Sequence, residues 1–375
     1  YREWYSVDGT QCCYTAHGDD KKYTALLNEV FDKAKTEYIK NPQANIFIFS
    51  QEDKYTWCNC AKCEEIIGKY GSESATMILF INDLIDKINE WFSSSEGVQY
   101  KRDFRIMTLA YQKSITPPKS KDIKLKDEGM ICFASDNMDY YHNINEENNV
   151  SYYTAFQGWK DFCNNISVYT YQTNFNHFLA PFDNFNTLQS FYKFCASMNC
   201  YWFYDLGQGR QSSGATGWMI LKNYIASKLA WNTELNMGEL INKFFKNYYG
   251  EASDEMYQYF LSFRANSKNN IEYGKIARLG SIFADLLVKE YWPKNILEEW
   301  MQSVDRSIEK IENIKYTDKQ RYDLLYNHIT MERVSLCYLM VGVYANEYSD
   351  KRVLELKKMH MEDCRRLGIE VKADG

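Results

Sequence analysis

The chain of 375 residues is long enough to bury a substantial core, and its 44 basic and 50 acidic residues leave a net charge of −6. Because neither sign forms a long run, nucleic acid is not an expected partner. No apolar stretch reaches the roughly 18 residues that a membrane-spanning helix needs, so no such segment is expected. Aromatic residues make up 16% of the chain. This content suits a cleft that stacks on sugar rings, and codon bias explains it equally well.

The order of the predicted elements along the chain is that of an α/β protein. Helices are predicted over 23–38, from its amphipathic pattern, and over 74–93, where apolar residues recur at helical spacing. Strands are predicted at 10–15, 45–50, 103–111, 129–134, 166–172 and 199–205. Since helical patterns or polar loops separate most of the strands, we predict parallel strands joined by right-handed crossovers.

Polar and aromatic residues follow several of these strands, as the active face of a barrel requires. They are Glu52 and Asp53, Tyr111 and Gln112, Asp136 and Asp139, Tyr171 and Asn174, and Asp205 and Gln208. These positions favour an α/β barrel of the TIM type, whose closed form has eight strands. The predicted strands are too few to close one, so either the barrel lacks its first strands or the sheet is open. Because the chain begins at Tyr1 without an initiator Met, we expect a mature form or a fragment.

From Gly214 to residue 368 the pattern changes to long helices without strand signals, which predicts an all-α C-terminal region. We place the boundary near residue 212, with a catalytic barrel portion at 1–212 and a helical region at 213–375. The helical region would cover the flank of the barrel or shape one wall of its cleft.

The adjacent carboxylates Glu52 and Asp53 directly follow the buried strand at 45–50. The carboxyl end of a parallel strand is where α/β barrels place their chemistry, because the strand is rigid and the following loop is free to vary. We therefore predict the active site at this pair. The structural alternative is that both residues are only the solvated start of a loop or of a helix.

Three closely spaced cysteines, Cys58, Cys60 and Cys63, follow in the same loop. Their spacing suits thiolate ligands, and a structural zinc site would need a fourth ligand, which Cys12 or Cys13 could supply. A disulfide and buried free thiols are the alternatives, and in each case the cysteines would fix the loop rather than do chemistry. The five histidines show no metal-binding spacing, so we expect no catalytic metal and no other cofactor.

The motifs over residues 1–255 together resemble those of glycoside hydrolase family 163, bacterial enzymes in which a strand leads into an acidic turn and then C-x-C-x-x-C. The matching motifs occur in the family's order and are Ser50-Gln51-Glu52-Asp53, the three cysteines, Leu109-Ala110-Tyr111, Pro117-Pro118, Tyr171-Gln172-Thr173-Asn174-Phe175, Pro181-Phe182, Gly207-Gln208-Gly209, Leu229-Ala230-Trp231-Asn232 and Tyr248-Tyr249-Gly250. The resemblance implies a (β/α)8-type barrel that acts as an endo-β-N-acetylglucosaminidase, cutting between the two core GlcNAc residues of complex N-glycans. It also implies a glycan or glycoprotein partner and an extracellular, cell-surface or periplasmic location.

Retaining cleavage of a GlcNAc glycoside can use the substrate's own acetamido oxygen as the nucleophile, which is an exception to the usual two-carboxylate scheme. By analogy with such enzymes, Asp53 is the expected general acid/base and Glu52 the group that polarises the acetamide N–H. Consecutive strand residues point to opposite faces, so both can serve only if the chain has already turned at Glu52, and the reverse order of roles stays open.

Residues at the ends of the later strands, and one in the loop after the acidic pair, are candidates for binding the sugar. The expected ligands are Tyr111 and Tyr171 as hydrogen-bonding or stacking rings, Asn174 and Gln208 as hydroxyl binders, and Trp57 as a stacking platform. Both tyrosines are equally explained as core residues. Two other functions stay open. One is a two-carboxylate glycosidase on another β-linked sugar, with Asp136, Asp139 or Asp205 as the second acid, and the other is a non-catalytic, glycan-binding barrel fragment.

Overall fold

The structure is a computed structural model that describes residues 2–208, 215–274 and 282–370. Its chain forms two compact units whose segments alternate along the sequence. The first unit comprises residues 1–136, 150–170 and 195–204, and the second comprises residues 137–149, 171–194 and 205–375. The boundary predicted near residue 212 lies outside the described residues and stays a prediction.

Five strands form one sheet in which neighbours in sequence are neighbours in space. They are β1 (Ile46–Ile48), β2 (Arg105–Ala110), β3 (Gly129–Ala134), β4 (Ile166–Tyr171) and β5 (Trp202–Leu206). Strands β1 to β4 pair in parallel, with Phe47 opposite Ile106 and Met107 opposite Met130. Strand β3, in the centre of the sheet, is buried along its whole length, whereas Ile48 on the edge strand β1 is 58% exposed.

Helices connect the strands and make up most of the second unit. In chain order the α-helices of the described residues are α1 (Asp20–Lys40), α2 (Ala61–Tyr70), α3 (Ser74–Ser93), α4 (Val150–Trp159), α5 (Leu188–Ser197), α6 (Met219–Trp231), α7 (Met237–Tyr248), α8 (Ser253–Glu272), α9 (Lys294–Ile311), α10 (Ile314–Thr317), α11 (Lys319–Tyr344) and α12 (Asp350–Leu367). None of them combines the length and the apolar composition that crossing a bilayer requires.

The predicted helix at 74–93 is confirmed as α3, and its pattern explains its place in the first unit. Apolar side chains recur every three or four residues along α3, and those of Met77, Phe80 and Ile81 are fully buried. Burying one such side chain stabilises the fold by about 1.5–3 kcal/mol. Because Thr108 of β2 also donates its hydroxyl to the sulfur of Met77 at 3.0 Å, α3 is fixed against the sheet.

The second unit is stabilised by a buried ion pair between two of its helices. Arg333 on α11 donates from Nε to Oδ2 of Asp363 on α12 at 2.7 Å, and a second hydrogen bond of 2.9 Å joins its Nη2 to Oδ1. The side chains are only 10% and 3% exposed. This bidentate geometry compensates for the desolvation of both charges and fixes α12 against α11.

The prediction of a closed (β/α)8 barrel is wrong. The described residues contain a half-barrel of five strands, with β1 and β5 at its two edges, followed by a helical region. The segment predicted as a strand at 10–15 contributes only an isolated antiparallel bridge between Tyr5 and Cys12. The predicted alternation of helices and strands is present. The observed strand pairing is that of an open sheet, which is the alternative to a barrel without its first strands.

Candidate functional site

The carboxylate pair lies where the chain leaves the edge strand β1. After β1 the backbone continues the pairing briefly, because Phe49 donates its N–H to the carbonyl of Met107 at 3.0 Å. The chain then turns sharply, since the Lys54 N–H donates to the Glu52 carbonyl at 2.8 Å. The turn lets both acidic side chains reach solvent, and Glu52 and Asp53 are both exposed. The geometrical requirement that the chain turn at Glu52 is therefore met.

Asp53 lies against the residues that follow the neighbouring strand β2. The Tyr111 hydroxyl donates to Oδ1 of Asp53 at 3.0 Å, and the Gln112 side-chain amide approaches the same oxygen at 3.4 Å. Burial raises the pKa of Tyr111 above its ordinary value, and the negative charges of Asp136 and Asp53 raise it further. Tyr111 therefore keeps its proton and acts as a donor beside the carboxylate.

Glu52 is held by a different part of the chain. The Tyr5 hydroxyl donates to Oε1 of Glu52 at 3.0 Å, and burial followed by this hydrogen bond raises the pKa of Tyr5. The two carboxylates thus each accept a hydrogen bond from a phenol, and the phenols come from segments that are far apart in sequence. This arrangement holds the two side chains in separate, defined positions.

The backbone around the pair is fixed by one buried amide side chain. Gln11 is 1% exposed, and its Nε2 donates to the carbonyls of Glu52 at 2.8 Å and Lys54 at 3.0 Å. Its Oε1 accepts from the Glu52 N–H at 3.0 Å. Because one side chain satisfies three backbone groups of the turn, the N-terminal segment determines the conformation of the turn.

A second amide connects the loops that follow β1 and β2. Gln51 is buried, and its Nε2 donates to the Tyr111 carbonyl at 2.9 Å and to the Ser114 hydroxyl at 3.0 Å. Gln112, which follows Tyr111, has a φ of 50°, a conformation that costs energy for a residue with a Cβ. The neighbouring hydrogen bonds hold this strained residue beside Asp53.

Of the predicted sugar-binding residues, the structure brings Tyr111 next to Asp53. Trp57 is half-buried and stacks on the buried Tyr14 with ring centroids 5.6 Å apart, while its indole N–H donates to Thr76 at 3.3 Å. One face of the Trp57 ring is therefore used in packing within the first unit, and a stacking role for the ring stays a prediction.

The other three predicted sugar-binding residues, Tyr171, Asn174 and Gln208, belong to the second unit. Tyr171 is 8% exposed and makes an edge contact with Phe175. Asn174 is fully buried and donates to the Ala284 carbonyl at 3.0 Å. Gln208 donates to the Phe178 carbonyl at 2.6 Å. In this conformation these side chains connect loops of the second unit, and their roles in sugar binding stay predictions.

The three candidate partner acids have different surroundings. Asp136 is 5% exposed and lies in the first unit, where its charge acts on Tyr111. Asp139, in the second unit, accepts from the Tyr141 N–H at 3.0 Å and contacts Nδ1 of His142 at 2.8 Å. Asp205 accepts from Tyr192 and Gln172 within the second unit, and burial raises its pKa. The charge of Asp136 therefore acts on the same Tyr111 that contacts Asp53.

The loop after the carboxylate pair leads into a cluster of four thiols. All eleven cysteines lie within the described residues, and none of these eleven forms a disulfide. Four sulfur atoms lie within 4.8 Å of one another, those of Cys13, Cys58, Cys60 and Cys63. Among the described residues, this group has the ligand atoms and the spacing to hold a metal ion. The predicted group of three cysteines therefore has a fourth member, and it is Cys13 rather than Cys12.

Two residues that position the pair, Tyr5 and Gln11, were not predicted. They precede the turn by more than 40 residues, and neither belongs to a motif with a recognisable spacing. A glutamine that would lie within a predicted strand gives no signal that its side chain binds a distant turn. Such a contact becomes visible only when the fold is known.

The fold and the site define an α/β protein with a carboxylate pair, held by phenols, at the carboxyl edge of a parallel sheet. The sequence model of the family described as "Domain of unknown function (DUF4838)" matches residues 3–261. The chain therefore belongs to the DUF4838 family. Searches for a similar curated protein and for a similar solved structure gave no match.

Proposed function

We propose that the chain is a glycoside hydrolase, a retaining endo-β-N-acetylglucosaminidase that cleaves the GlcNAc-β1,4-GlcNAc core of N-glycans by substrate assistance. The observation that supports this most is the exposed pair Glu52 and Asp53 at the carboxyl edge of the sheet, with the Tyr111 hydroxyl 3.0 Å from Asp53. Two of the motifs that resemble those of glycoside hydrolase family 163, Ser50-Gln51-Glu52-Asp53 and Leu109-Ala110-Tyr111, contain these residues.

The proposed chemistry needs two acidic groups and no nucleophile from the protein. The acetamido oxygen of the substrate attacks the anomeric carbon, the glycosidic C–O bond breaks, and Asp53 gives its proton to the leaving oxygen. Glu52 accepts a hydrogen bond from the acetamide N–H, which becomes more acidic as the oxazolinium ring forms. Water then adds to the anomeric carbon while the bond from that carbon to the acetamido oxygen breaks and the acetamide is restored. Asp53 takes up a proton from the attacking water, and the two displacements together keep the starting configuration.

Tyr111 has a positioning role in this proposal. Its hydroxyl is oriented by Asp53 and remains protonated, because burial and the neighbouring carboxylates raise its pKa. A protonated phenol near the reacting centre donates a hydrogen bond to a carboxylate or to a sugar oxygen without changing its charge. The exchange of the Asp53 and Glu52 roles is an equally complete mechanism, and the kinetics of Asp53→Asn and Glu52→Gln separate the two mechanisms.

A two-carboxylate glycosidase acting on another β-linked sugar is a second candidate, and one observation favours it. Asp136 is a buried carboxylate whose charge acts on Tyr111, and Tyr111 contacts Asp53. Asp136 and Asp53 would then be the two acids that the usual scheme requires. A glycan or glycoprotein partner, and an extracellular, cell-surface or periplasmic location, are part of both proposals.

The experiment that tests the proposal is release of glycans from a glycoprotein carrying complex N-glycans. Mass spectrometry of the treated glycoprotein should show one GlcNAc left on each modified asparagine. A thiazoline that mimics the cyclised GlcNAc intermediate should inhibit the release, because it imitates the proposed oxazolinium ring. The variant Asp53→Asn should lose this release. Asp32→Asn is its matched control, since Asp32 is an exposed aspartate on α1 of the same unit.

The possible outcomes separate the candidates. Release that the thiazoline inhibits supports substrate assistance, whereas hydrolysis of a β-glycoside that the thiazoline leaves unaffected supports the two-carboxylate scheme. Glycan binding measured by calorimetry, without any hydrolysis, would refute both and support a glycan-binding module.

A further inference from the structure

The four thiols of the first unit have the spacing of a tetrahedral metal site. The Cys13 sulfur lies 3.8 Å from the sulfurs of both Cys60 and Cys63, and all four sulfurs, including that of Cys58, lie within 4.8 Å of one another. Four sulfurs at about 2.3 Å from a tetrahedral Zn²⁺ are separated by about 3.8 Å. A disulfide would require about 2.05 Å.

We propose that Cys13, Cys58, Cys60 and Cys63 bind one Zn²⁺ ion as a closed structural site. With four protein ligands the ion has no open position for water or substrate, so its role is to fix the fold rather than to catalyse. Binding replaces the proton of each thiol that is still protonated with a bond to zinc, so up to four protons are released to solvent. The proposal does not depend on the proposed glycosidase activity.

The surroundings of the sulfurs suit thiolates bound to a cation. The His17 N–H donates to the Cys13 sulfur at 3.2 Å, and the Cys63 N–H approaches the Cys60 sulfur at 3.5 Å. The Thr15 hydroxyl lies 3.2 Å from the Cys63 sulfur. Such N–H and O–H donors around the ligands reduce the excess negative charge of a zinc tetrathiolate and orient its sulfurs.

The ligands come from three pieces of the first unit that only folding brings together. Cys13 lies in the N-terminal segment, Cys58 lies in the loop after the carboxylate pair, and Cys60 and Cys63 lie at the start of α2. The N-terminus of α2 adds a partial positive charge that stabilises thiolates. A bound ion would therefore join the N-terminal segment to the loop that runs from the carboxylate pair to α2. The N-terminal segment already holds the start of this loop, because Gln11 binds the turn at residues 52–54.

The test is to measure the metal content of the full chain, purified without chelators, by elemental mass spectrometry. We expect about one zinc per chain and, at the zinc absorption edge, four sulfur neighbours at about 2.3 Å. Cys60→Ser is the informative variant because Cys60 is the N-cap of α2, and a serine keeps the cap while it removes the thiolate. Cys12→Ser is the matched control, since Cys12 is adjacent to Cys13 but outside the cluster.

We expect Cys60→Ser to lose zinc at least tenfold more readily to a competing chelator than either the control or the unmodified chain. A second measurement on the unmodified chain is independent of any variant: cobalt added to the chelator-treated protein should give the visible spectrum of a tetrahedral thiolate site. Failure of that protein to bind zinc or cobalt would overturn the proposal. So would an iron-loaded site, a disulfide within the cluster, or equal zinc retention in Cys60→Ser and Cys12→Ser.

Discussion

Replacing Gln11 with alanine should loosen the turn that carries the carboxylate pair. The substitution removes three hydrogen bonds between the Gln11 side chain and the backbone of Glu52 and Lys54. Each such bond contributes about 0.5–1.5 kcal/mol net. Because Glu52 and Lys54 are exposed, water replaces part of what is lost, so we expect the turn to be destabilised by about 2 kcal/mol.

Hydrogen exchange at the Glu52 amide measures this loss locally. A change of 2 kcal/mol corresponds to a decrease of about 30-fold in the protection of that amide. Gln99→Ala is the matched control, because Gln99 is an exposed glutamine of the same unit. Protection of the Glu52 amide that is unchanged in Gln11→Ala, or reduced equally in both variants, would refute the conclusion that Gln11 fixes the turn.

Three further predictions concern the site and the second unit. Tyr111→Phe removes the hydroxyl that donates a hydrogen bond to Asp53, so kcat/KM for glycan release should fall by about 10- to 100-fold with unchanged stability. Asp363→Ala removes the carboxylate that binds the buried Arg333 guanidinium, and the free energy of unfolding in denaturant titrations should fall by about 3–5 kcal/mol. Burial raises the pKa of Glu332 from 4.5 to about 8, so the folded state binds its proton more tightly than the unfolded state does. The contribution of Glu332 to stability is therefore full below pH 4.5 and is lost as the pH rises to 8. Between pH 5 and pH 8 the free energy of unfolding should decrease less for Glu332→Gln than for the unmodified chain. Equal decreases in the two proteins would contradict the raised pKa of Glu332.

The parts of the fold that the sequence predicts well are those with long, strongly patterned segments. The strand predicted at 129–134 coincides with β3, and the helix predicted at 74–93 coincides with α3. Strand β3 is central in the sheet and α3 buries a whole face, so burial imposes a continuous apolar pattern on each. Where burial is incomplete, as at the short edge strand β1, the pattern overestimates the length of the strand.

The barrel prediction failed for a reason that local patterns do not reveal. Closure of a sheet depends on whether its edge strands find partners, and the segment at 10–15 has the composition of a strand without its pairing. That segment instead serves the site, because Gln11 binds the turn and Cys13 completes the group of four thiols. The positions of the carboxylates could be predicted from the end of an apolar strand, although β1 itself is only partly buried, whereas their partners, Tyr5 and Gln11, depend on tertiary contacts.

The central claim is that Asp53 takes part in cleaving a glycosidic bond. The most direct test is kcat/KM for glycan release by Asp53→Asn, with thermal unfolding and glycan affinity measured on the same sample and Asp32→Asn as the control. We predict a loss of about 100-fold or more in kcat with glycan affinity and stability retained, because the amide cannot donate and recover the proton. Turnover by Asp53→Asn that equals that of the control would contradict the claim.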